Sequence, residues 1–405
     1  MSEATLRARL RTVRASYPPA FWVLFWGLLI NSAGSSMVWP FLTIFIRQRL
    51  EVSLTTVTLL FSLNSFAGLI ALSFVGPAVD RFGRRFAMIT GLIAGGLILV
   101  TMSLATTLPL WVAVMAAQGV FSPFYRVGSD AMIADMIEPG RRAGAYALLR
   151  MINNLGIAVG PAIGGFVAGV SYTLAFYIAA AASLLFVSMI LFKVPETLPT
   201  ETETVRRGGG YGPVLRDRSF LAFCGVFVLV TIPAAILMVL LAVYAKENFG
   251  VVEQQYGFIM ATNATLVVLL QYRVTRTSQR YSNWRVLALG ALFYAVGAGS
   301  VALGQGFWAF WLSMVILTFG ELLLAPTGSA MAADLAPVDM RGRYMGLYGL
   351  TWGISFGLGP VIAGALNDNL APVAMWVFAG AAGLVAAAGF ALLGRRVARR
   401  SAAQR

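Results

Sequence analysis

The chain of 405 residues is 59% apolar and only 11% charged, whereas a soluble domain carries about 25% charged residues. This composition excludes an ordinary soluble protein. One cysteine, Cys224, and the absence of histidine exclude a disulfide framework and metal sites built on thiolate or imidazole, and no cofactor is expected. The formal net charge of +14 is spread over short connections between apolar runs, which argues against nucleic acid as a partner.

Apolar runs long enough to cross a hydrocarbon core of about 30 Å follow one another along the whole chain. The longest of them must tilt or protrude. They predict an all-α membrane protein with twelve transmembrane helices, over residues 20–46, 55–78, 87–105, 109–137, 142–170, 173–193, 219–247, 254–275, 285–304, 307–337, 343–371 and 372–394.

Lysine and arginine are distributed very unevenly between the two sets of connections. An even number of spans puts both termini on one side. Only Arg47, Arg49 and Lys246 fall in the connections on the other side, Arg126 and Arg150 fall inside spans, and all the remaining basic residues lie on the side of the termini. Because basic connections stay in the cytoplasm, the sequence predicts a multi-pass plasma (inner) membrane protein with both termini cytoplasmic.

A polar stretch at 194–218 separates two sets of six spans, which predicts an N-terminal half (1–193), a cytoplasmic linker and a C-terminal half (219–405). The two halves match at an offset of 199 residues, which places Asp135 on Asp334 and Gly160 on Gly359. Such an offset indicates two parallel six-helix repeats that enclose one central cavity and are related by a pseudo-twofold axis along the membrane normal.

The connection after the second span has the spacing G-x-x-x-D-R-x-G-R-R, formed by Gly76, Asp80, Arg81, Gly83, Arg84 and Arg85. Gly76 is expected to allow close helix packing, and Asp80 to cap the next helix. The spacing resembles a signature of the major facilitator superfamily. This resemblance implies the major facilitator fold and a charge cluster of Asp80, an arginine of this connection and Asp135 that locks the inner gate. A mere topology signal would explain the arginines but not Asp80 or the glycines. In the second half, Gln279 replaces the aspartate.

The fifth span carries a run of small residues with one proline, Gly156, Gly160, Pro161, Gly164 and Gly165. The glycines provide a smooth surface for a neighbouring helix, and Pro161 is expected to form a hinge. The run resembles the signature that marks drug:proton antiporters within the superfamily. A simple packing surface is the alternative interpretation.

Charged residues inside spans are costly and therefore candidate functional residues. Arg126 and Asp130 are four positions apart, hence on one face of the fourth helix, and Arg150 lies at a similar depth in the fifth. We expect these three side chains to form a cluster facing the cavity of the N-terminal half. A static salt bridge between the two helices is an equal alternative.

Glu321 lies near the middle of the tenth span, with no basic residue close in sequence. A carboxyl group in a medium of low dielectric favours its neutral form, so Glu321 is the first candidate for a proton carrier and Asp130 the second. The segment from Gly320 to Gly346 resembles the corresponding segment of multidrug/proton antiporters, which implies that Glu321 recognises cations. A protonated glutamate buried in the bundle is the alternative.

The expected function is proton-coupled export of hydrophobic, cationic small molecules by a monomer in the lipid bilayer. A lipid or lysolipid flippase and a metabolite exporter of the same fold remain alternatives. A membrane enzyme is disfavoured because histidine-based catalytic sites are excluded, and a receptor needs no half-length repeat. The chain also lacks a phosphate-binding G-x-x-x-x-G-K-[ST] loop, so transport must use a gradient.

Overall fold

A computed structural model describes residues 16–198, 212–337 and 340–403. In this part of the chain, twelve helices are long and apolar enough to cross a membrane. They are α1 Pro19–Leu50, α2 Leu54–Phe82, α3 Arg84–Leu104, α4 Leu108–Met136, α5 Pro139–Val170, α6 Tyr172–Lys193, α7 Arg218–Phe249, α8 Glu253–Ser278, α9 Asn283–Leu303, α10 Phe307–Leu335, α11 Arg341–Asn369 and α12 Ala374–Ala403.

Each helix begins and ends within a few residues of its predicted span, except that α12 continues beyond residue 394, and the all-α prediction is confirmed. Local chemistry sets several of the boundaries. The side chains of Ser53, Ser171 and Asp217 accept hydrogen bonds from backbone N–H groups in the first turns of α2, α6 and α7. The basic residues at 7, 9, 11, 14, 206, 207 and 405, and much of the expected linker, lie outside the described residues, so the division at 194–218 stays a prediction.

Helix packing repeats between the two halves. In the N-terminal half, α1 packs on α5 and α6, α3 on α6, and α4 on both α2 and α3. In the C-terminal half, α7 packs on α11 and α12, α9 on α12, and α10 on both α8 and α9. Two main contacts join the halves, α2 with α11 and α5 with α8. The offset of 199 maps α2 onto α8 and α5 onto α11, so each contact is the counterpart of the other. This confirms the prediction of two parallel six-helix repeats.

Individual contacts between residues are also related by the offset of 199. A Cβ added to Gly165 would lie 2.6 Å from the carbonyl oxygen of Glu253, and one added to Gly364 would lie 3.2 Å from that of Leu54. Gly165 and Gly364 are 199 positions apart, as are Leu54 and Glu253. These two close approaches between helices of opposite halves are therefore the same contact made twice.

The glycines of α5 serve two interfaces. Gly156, Gly160 and Gly164 contact α1, and a Cβ on Gly160 would lie 2.5 Å from Ser36 Cβ and 2.6 Å from the Ala33 carbonyl oxygen. Gly165 contacts α8 in the other half, and α5 continues as one helix through Pro161. The run therefore packs α5 within its own half and against the opposite half.

The two halves meet at one end of the bundle and separate towards the other. We call the end where α1 begins and α12 ends the terminal face, and the other end the opposite face. Along α2, Leu69 contacts Gly353 of α11, whereas a Cβ on Gly76 of α2, or on Gly349 or Gly342 of α11, would meet no atom within 4 Å. The structure is therefore closed at the opposite face and open towards the terminal face.

The close contact at Gly160 leads to a prediction about stability. We expect Gly160→Ala to lower the free energy of unfolding by about 1–3 kcal/mol, because the added methyl group overlaps the α1 backbone. Gly95→Ala in α3 is the matched control, since its Cβ would meet no atom within 4 Å and alanine favours the helix. Thermal unfolding of the two purified variants in detergent measures the difference, and equal midpoints would contradict the packing described for α5.

Candidate functional site

A cavity of about 540 Å³ lies between α1, α4 and α5. Arg126, Asp130 and Arg150 all line it, as expected from their depth in the sequence. The remaining wall includes the side chains of Asn31, Ser32, Ser35, Ser36, Ser129 and Asn153. A charged and hydroxyl-rich wall inside a membrane-spanning bundle is typical of a path for a polar solute.

The three charged side chains do not form the static salt bridge that was the alternative. All three are exposed, and among the described residues none of them makes an ion pair within 4 Å. Arg126 acts on Asp130 only electrostatically. Tyr146 of α5 joins the two helices instead, because its hydroxyl donates a hydrogen bond of 2.9 Å to the backbone carbonyl of Asp130.

A second cavity of about 520 Å³ lies between α2 and α4 of one half and α11 of the other. Asn64, Ser122 and Trp352 line it, together with Arg126. Because Arg126 lines both cavities, its side chain lies where the two spaces meet. A solute that enters between the halves would therefore encounter this guanidinium group.

Glu321 lies at the middle of α10 and is half-buried. Its Oε2 accepts a hydrogen bond of 2.9 Å from Asn263 Nδ2 of α8, which also donates to Thr318 Oγ1 at 2.9 Å. Glu321 does not line either cavity described above. The sequence offered no basic partner nearby, but the fold brings Arg150 of the other half close enough to act on Glu321 electrostatically.

Glu321 and Asn263 have counterparts in the first half of the chain. Asn263 is the counterpart of Asn64, and Glu321 is the counterpart of Ser122, at the offset of 199. Asn64 donates to the backbone carbonyl of Met115 at 3.2 Å, whereas Asn263 holds a carboxylate. No motif in the sequence marks either asparagine, although the offset pairs them.

A charge cluster forms near the terminal face, where the motif after α2 predicted one. Arg84 Nε lies 2.9 Å from Asp135 Oδ2, and Arg84 Nη1 lies 3.4 Å from Asp80 Oδ1. Arg81 lies over the ring of Phe82, and Arg85 Nη2 donates to the carbonyl of Leu191. The charged cluster joins α2, α3 and α4 of a single half, and the role in gating stays a prediction.

Glu196, which sequence reasoning missed, occupies the place expected of Asp80. Its carboxylate accepts the backbone N–H groups of Arg84 at 3.0 Å and Arg85 at 3.1 Å and so caps α3. The expected cap by Asp80 is therefore wrong. Gly83 is needed here, because its φ is +103° and a Cβ would overlap the Glu196 carboxylate.

Gly76 does not make the close packing contact expected of it in this conformation, since the space around its Cα is open. Ser62, Leu69 and Gly76 follow one another at intervals of seven residues and therefore share a face of α2. The first two contact α11, through Gly357 and Gly353 respectively. Gly76 thus faces the part of α11 from which α2 has separated.

The second half keeps a weakened copy of the charge cluster. Asn283 is the counterpart of Arg84 and Asp334 that of Asp135, and Asn283 Nδ2 lies 3.5 Å from Asp334 Oδ2. A neutral amide thus replaces the guanidinium group, while Gln279 replaces the aspartate of the first half. The strong form of the cluster belongs to the N-terminal half.

Three contacts made by acidic side chains join the halves at the opposite face, and the sequence did not predict them. Arg47 Nε lies 2.5 Å from Glu247 Oε1. Asp368 accepts hydrogen bonds from the Thr55 backbone N–H at 2.7 Å and its hydroxyl at 2.6 Å. Glu253 accepts the hydroxyl of Tyr172 and is paired with Lys246. The C-terminal half supplies the acid in all three contacts.

Two six-helix halves around a polar, charged cavity that opens at one face define a membrane transporter rather than an enzyme. The chain belongs to the Major Facilitator Superfamily, because the sequence model of that family matches residues 24–240 and 223–405. The resemblance stated from the motifs is thereby confirmed.

Known relatives and structures agree with this assignment. The chain is 26% identical over 359 residues to the "Na(+), Li(+), K(+)/H(+) antiporter" of Planococcus maritimus, with 80% of this chain and 84% of the relative covered. It is 26% identical over 358 residues to "Multidrug resistance protein 1" of Bacillus subtilis (strain 168), with 85% and 89% covered. A mutant of the nucleoside transporter NupG has the same fold, with a TM-score of 0.79, 14% identity, and 92% and 99% covered.

The contacts at the opposite face lead to a prediction about conformation. We expect Asp368→Ala to raise the ratio of open to closed molecules at that face about fivefold, because losing a contact of about 1 kcal/mol shifts an equilibrium by that factor. Distances between spin labels at exposed Gln48 and Asn369, on opposite halves, measure the two populations. Glu138→Ala is the control, since within the described part of the chain Glu138 pairs with Arg141 of the same half alone. An unchanged distance distribution in Asp368→Ala would refute the closing role of Asp368.

Proposed function

We propose that this chain is a proton-coupled secondary transporter that exports hydrophobic, cationic small molecules, with Glu321 as the carboxylate shared by proton and substrate. The observation that carries the proposal is the position of Glu321. It is half-buried at the middle of α10, with one amide hydrogen bond and no ion pair among the described residues.

The chemistry of coupling follows from that position. A carboxyl group removed from water binds a proton more readily than an exposed one, so a single group can alternate between a proton and a cationic ligand. Asn263 donates a hydrogen bond that suits the ionised form. Arg150 is the charged group on the other half that acts on Glu321, so the charge of Glu321 also affects the contact between the halves.

The orientation is part of the same proposal. Basic residues concentrate at the terminal face, which we assign to the cytoplasm of a plasma (inner) membrane, with both termini on that side. The described conformation is then open to the cytoplasm and closed to the outside. Export by a monomer begins in this state. A cation enters from the cytoplasm and displaces the proton, and reprotonation from the outside releases the cation there.

Relatives support this class of activity and favour one second candidate. One relative carries the name of a multidrug resistance protein, and another that of a Na(+), Li(+), K(+)/H(+) antiporter. The second name favours exchange of an alkali cation for protons as the alternative. The oxygen atoms of Glu321 and Thr318 around Asn263 would then form part of the cation site. No specific contact favours lipid or metabolite export.

Glu321→Gln tests the proposal directly. The glutamine mimics the protonated carboxyl and has no proton to exchange, so we expect proton-driven transport of an organic cation to fall to the level of empty liposomes. The measurement is uptake of a fluorescent cation into liposomes that contain purified protein, with and without an imposed pH gradient. Parallel assays with Na⁺ and K⁺ separate the two candidates. Glu138→Gln makes the same chemical change at an exposed position and is the matched control.

Full proton-driven transport of an organic cation by Glu321→Gln would refute the role of Glu321. The same assay applied to Asp130→Asn would then examine the second carboxylate, since Asp130 is exposed to the cavity. If the wild-type protein transports only alkali cations, and Glu321→Gln loses that transport, the substrate is an alkali cation and not an organic cation.

A further prediction concerns the terminal face. When the halves close there, Gly76 and Asp80 would approach α11, because they continue the face of α2 that already contacts it. We therefore expect Asp80→Asn to favour the cytoplasm-open state and to slow transport without lowering the free energy of unfolding. Spin-label distances across the terminal face measure the populations, and Asp334→Asn, at the counterpart of Asp135, is the control. Unchanged populations in Asp80→Asn would contradict the gating role.

A further inference from the structure

Two guanidinium groups from adjacent helices enter the same cavity. Arg126 of α4 and Arg150 of α5 line the space of about 540 Å³, and both are exposed. Among the described residues, neither makes a hydrogen bond or an ion pair within 4 Å. Arginine inside a membrane bundle is costly unless it meets water, an acid or a ligand, so both side chains retain binding capacity.

The positive charges of the two arginines are balanced by two acidic residues, one in the cavity and one outside its wall. Arg126 and Arg150 are balanced in sign by Asp130 and by Glu321, on which Arg150 acts electrostatically. When a proton or a simple cation neutralises Glu321, one positive charge remains uncompensated. A substrate that also carries a negative charge would neutralise it. A purely cationic substrate would instead meet two guanidinium groups that repel it.

We propose that Arg126 and Arg150 form an anion-binding subsite, and that the preferred substrate carries a carboxylate or similar anion besides its cationic group. This inference rests on the proposed function, in which Glu321 binds the cationic group. The planar guanidinium group binds carboxylate through two parallel hydrogen bonds, which suits it to this role. The hydroxyl and amide groups of Ser35, Ser129 and Asn153 in the same wall can donate further hydrogen bonds. The substrate class is therefore an amphoteric, hydrophobic molecule.

A matched pair of probes isolates the anionic group. The two probes are a rhodamine with a free carboxyl group and its methyl ester, which share the same cationic ring system and differ by one negative charge. Fluorescence polarisation with the purified full chain in detergent gives the dissociation constant of each probe. The ratio of the two constants is the readout, because unfolded protein and general loss of affinity affect both probes alike.

The wild-type protein is expected to bind the free acid about tenfold to a hundredfold more tightly than the ester, as hydrogen bonds to a charged group contribute about 1.5–3 kcal/mol. Arg126→Gln and Arg150→Gln should each reduce this preference about tenfold. Arg150→Lys should keep part of it, since the charge remains while the paired donors are lost. Arg276→Gln, at an exposed position on α8, is the control and should keep the full preference.

Two results would overturn the subsite. One is equal affinity of the wild-type protein for both probes, which would mean that the arginines only balance Asp130 and Glu321. The other is a preference for the free acid that survives both glutamine substitutions. Either result leaves the proposed function intact if the ester is still transported by a pH gradient. Conversely, an arginine-dependent preference without proton-driven transport would keep the subsite and refute the proposed function.

Discussion

The contact between the halves at the opposite face is the constraint on which the rest of the structure depends. It is made twice, by Gly165 against the first residue of α8 and by Gly364 against the first residue of α2. Backbones can approach this closely only where no side chain stands between them. Since membrane helices gain little from hydrophobic burial against each other, such close packing supplies much of the attraction between the halves. Closing one end of the bundle in this way separates α2 from α11 at the other end, and that separation creates the space in which Arg126 lies.

The internal repeat determines the fold, and departures from it locate the candidate chemistry. Asn64 and Asn263 keep equivalent positions, but the partner of Asn263 is Glu321, whereas the equivalent residue of the first half is Ser122. Arg126 and Arg150 correspond to Ala325 and Gly349. Each half thus carries charges that the other lacks: two guanidinium groups and the carboxylate of Asp130 in the first, and the carboxylate of Glu321 in the second. Two equal halves would form a symmetric cavity. In the proposed function this asymmetry lets the two walls bind groups of opposite charge, and the pairing of the halves brings Arg150 near Glu321.

The sequence predicted the features that depend on local composition and missed those that depend on contacts across the fold. Apolar run length located all twelve helices, and the resemblance of the motif after α2 to the family signature implied a charge cluster that the structure contains. Glu196 was missed because it lies 112 positions from Arg84, at the start of the polar stretch interpreted only as a linker. The same reason applies to Asp368, which is 313 positions from the backbone N–H of Thr55. Gly76 does not make the close contact expected of it, because α2 has separated from α11 at that level, and a sequence does not specify the conformational state.

The polar contacts at the opposite face have an energy suited to a transporter. Exposed ion pairs contribute about 0–1 kcal/mol each, so the contact of Arg47 with Glu247 stabilises the closed face only modestly. The exposed hydrogen bonds of Thr55 with Asp368 add about 1 kcal/mol. Reversing a two-state equilibrium from 1:99 to 99:1 takes about 5.5 kcal/mol of differential binding. A few weak contacts at each face keep the two states within reach of the free energy that a proton or substrate gains on binding. The charge cluster around Arg84 differs in kind, because it lies within one half and survives in the open state. It can keep the ends of α2, α3 and α4 rigid through the cycle, while the weaker contacts between the halves form and break.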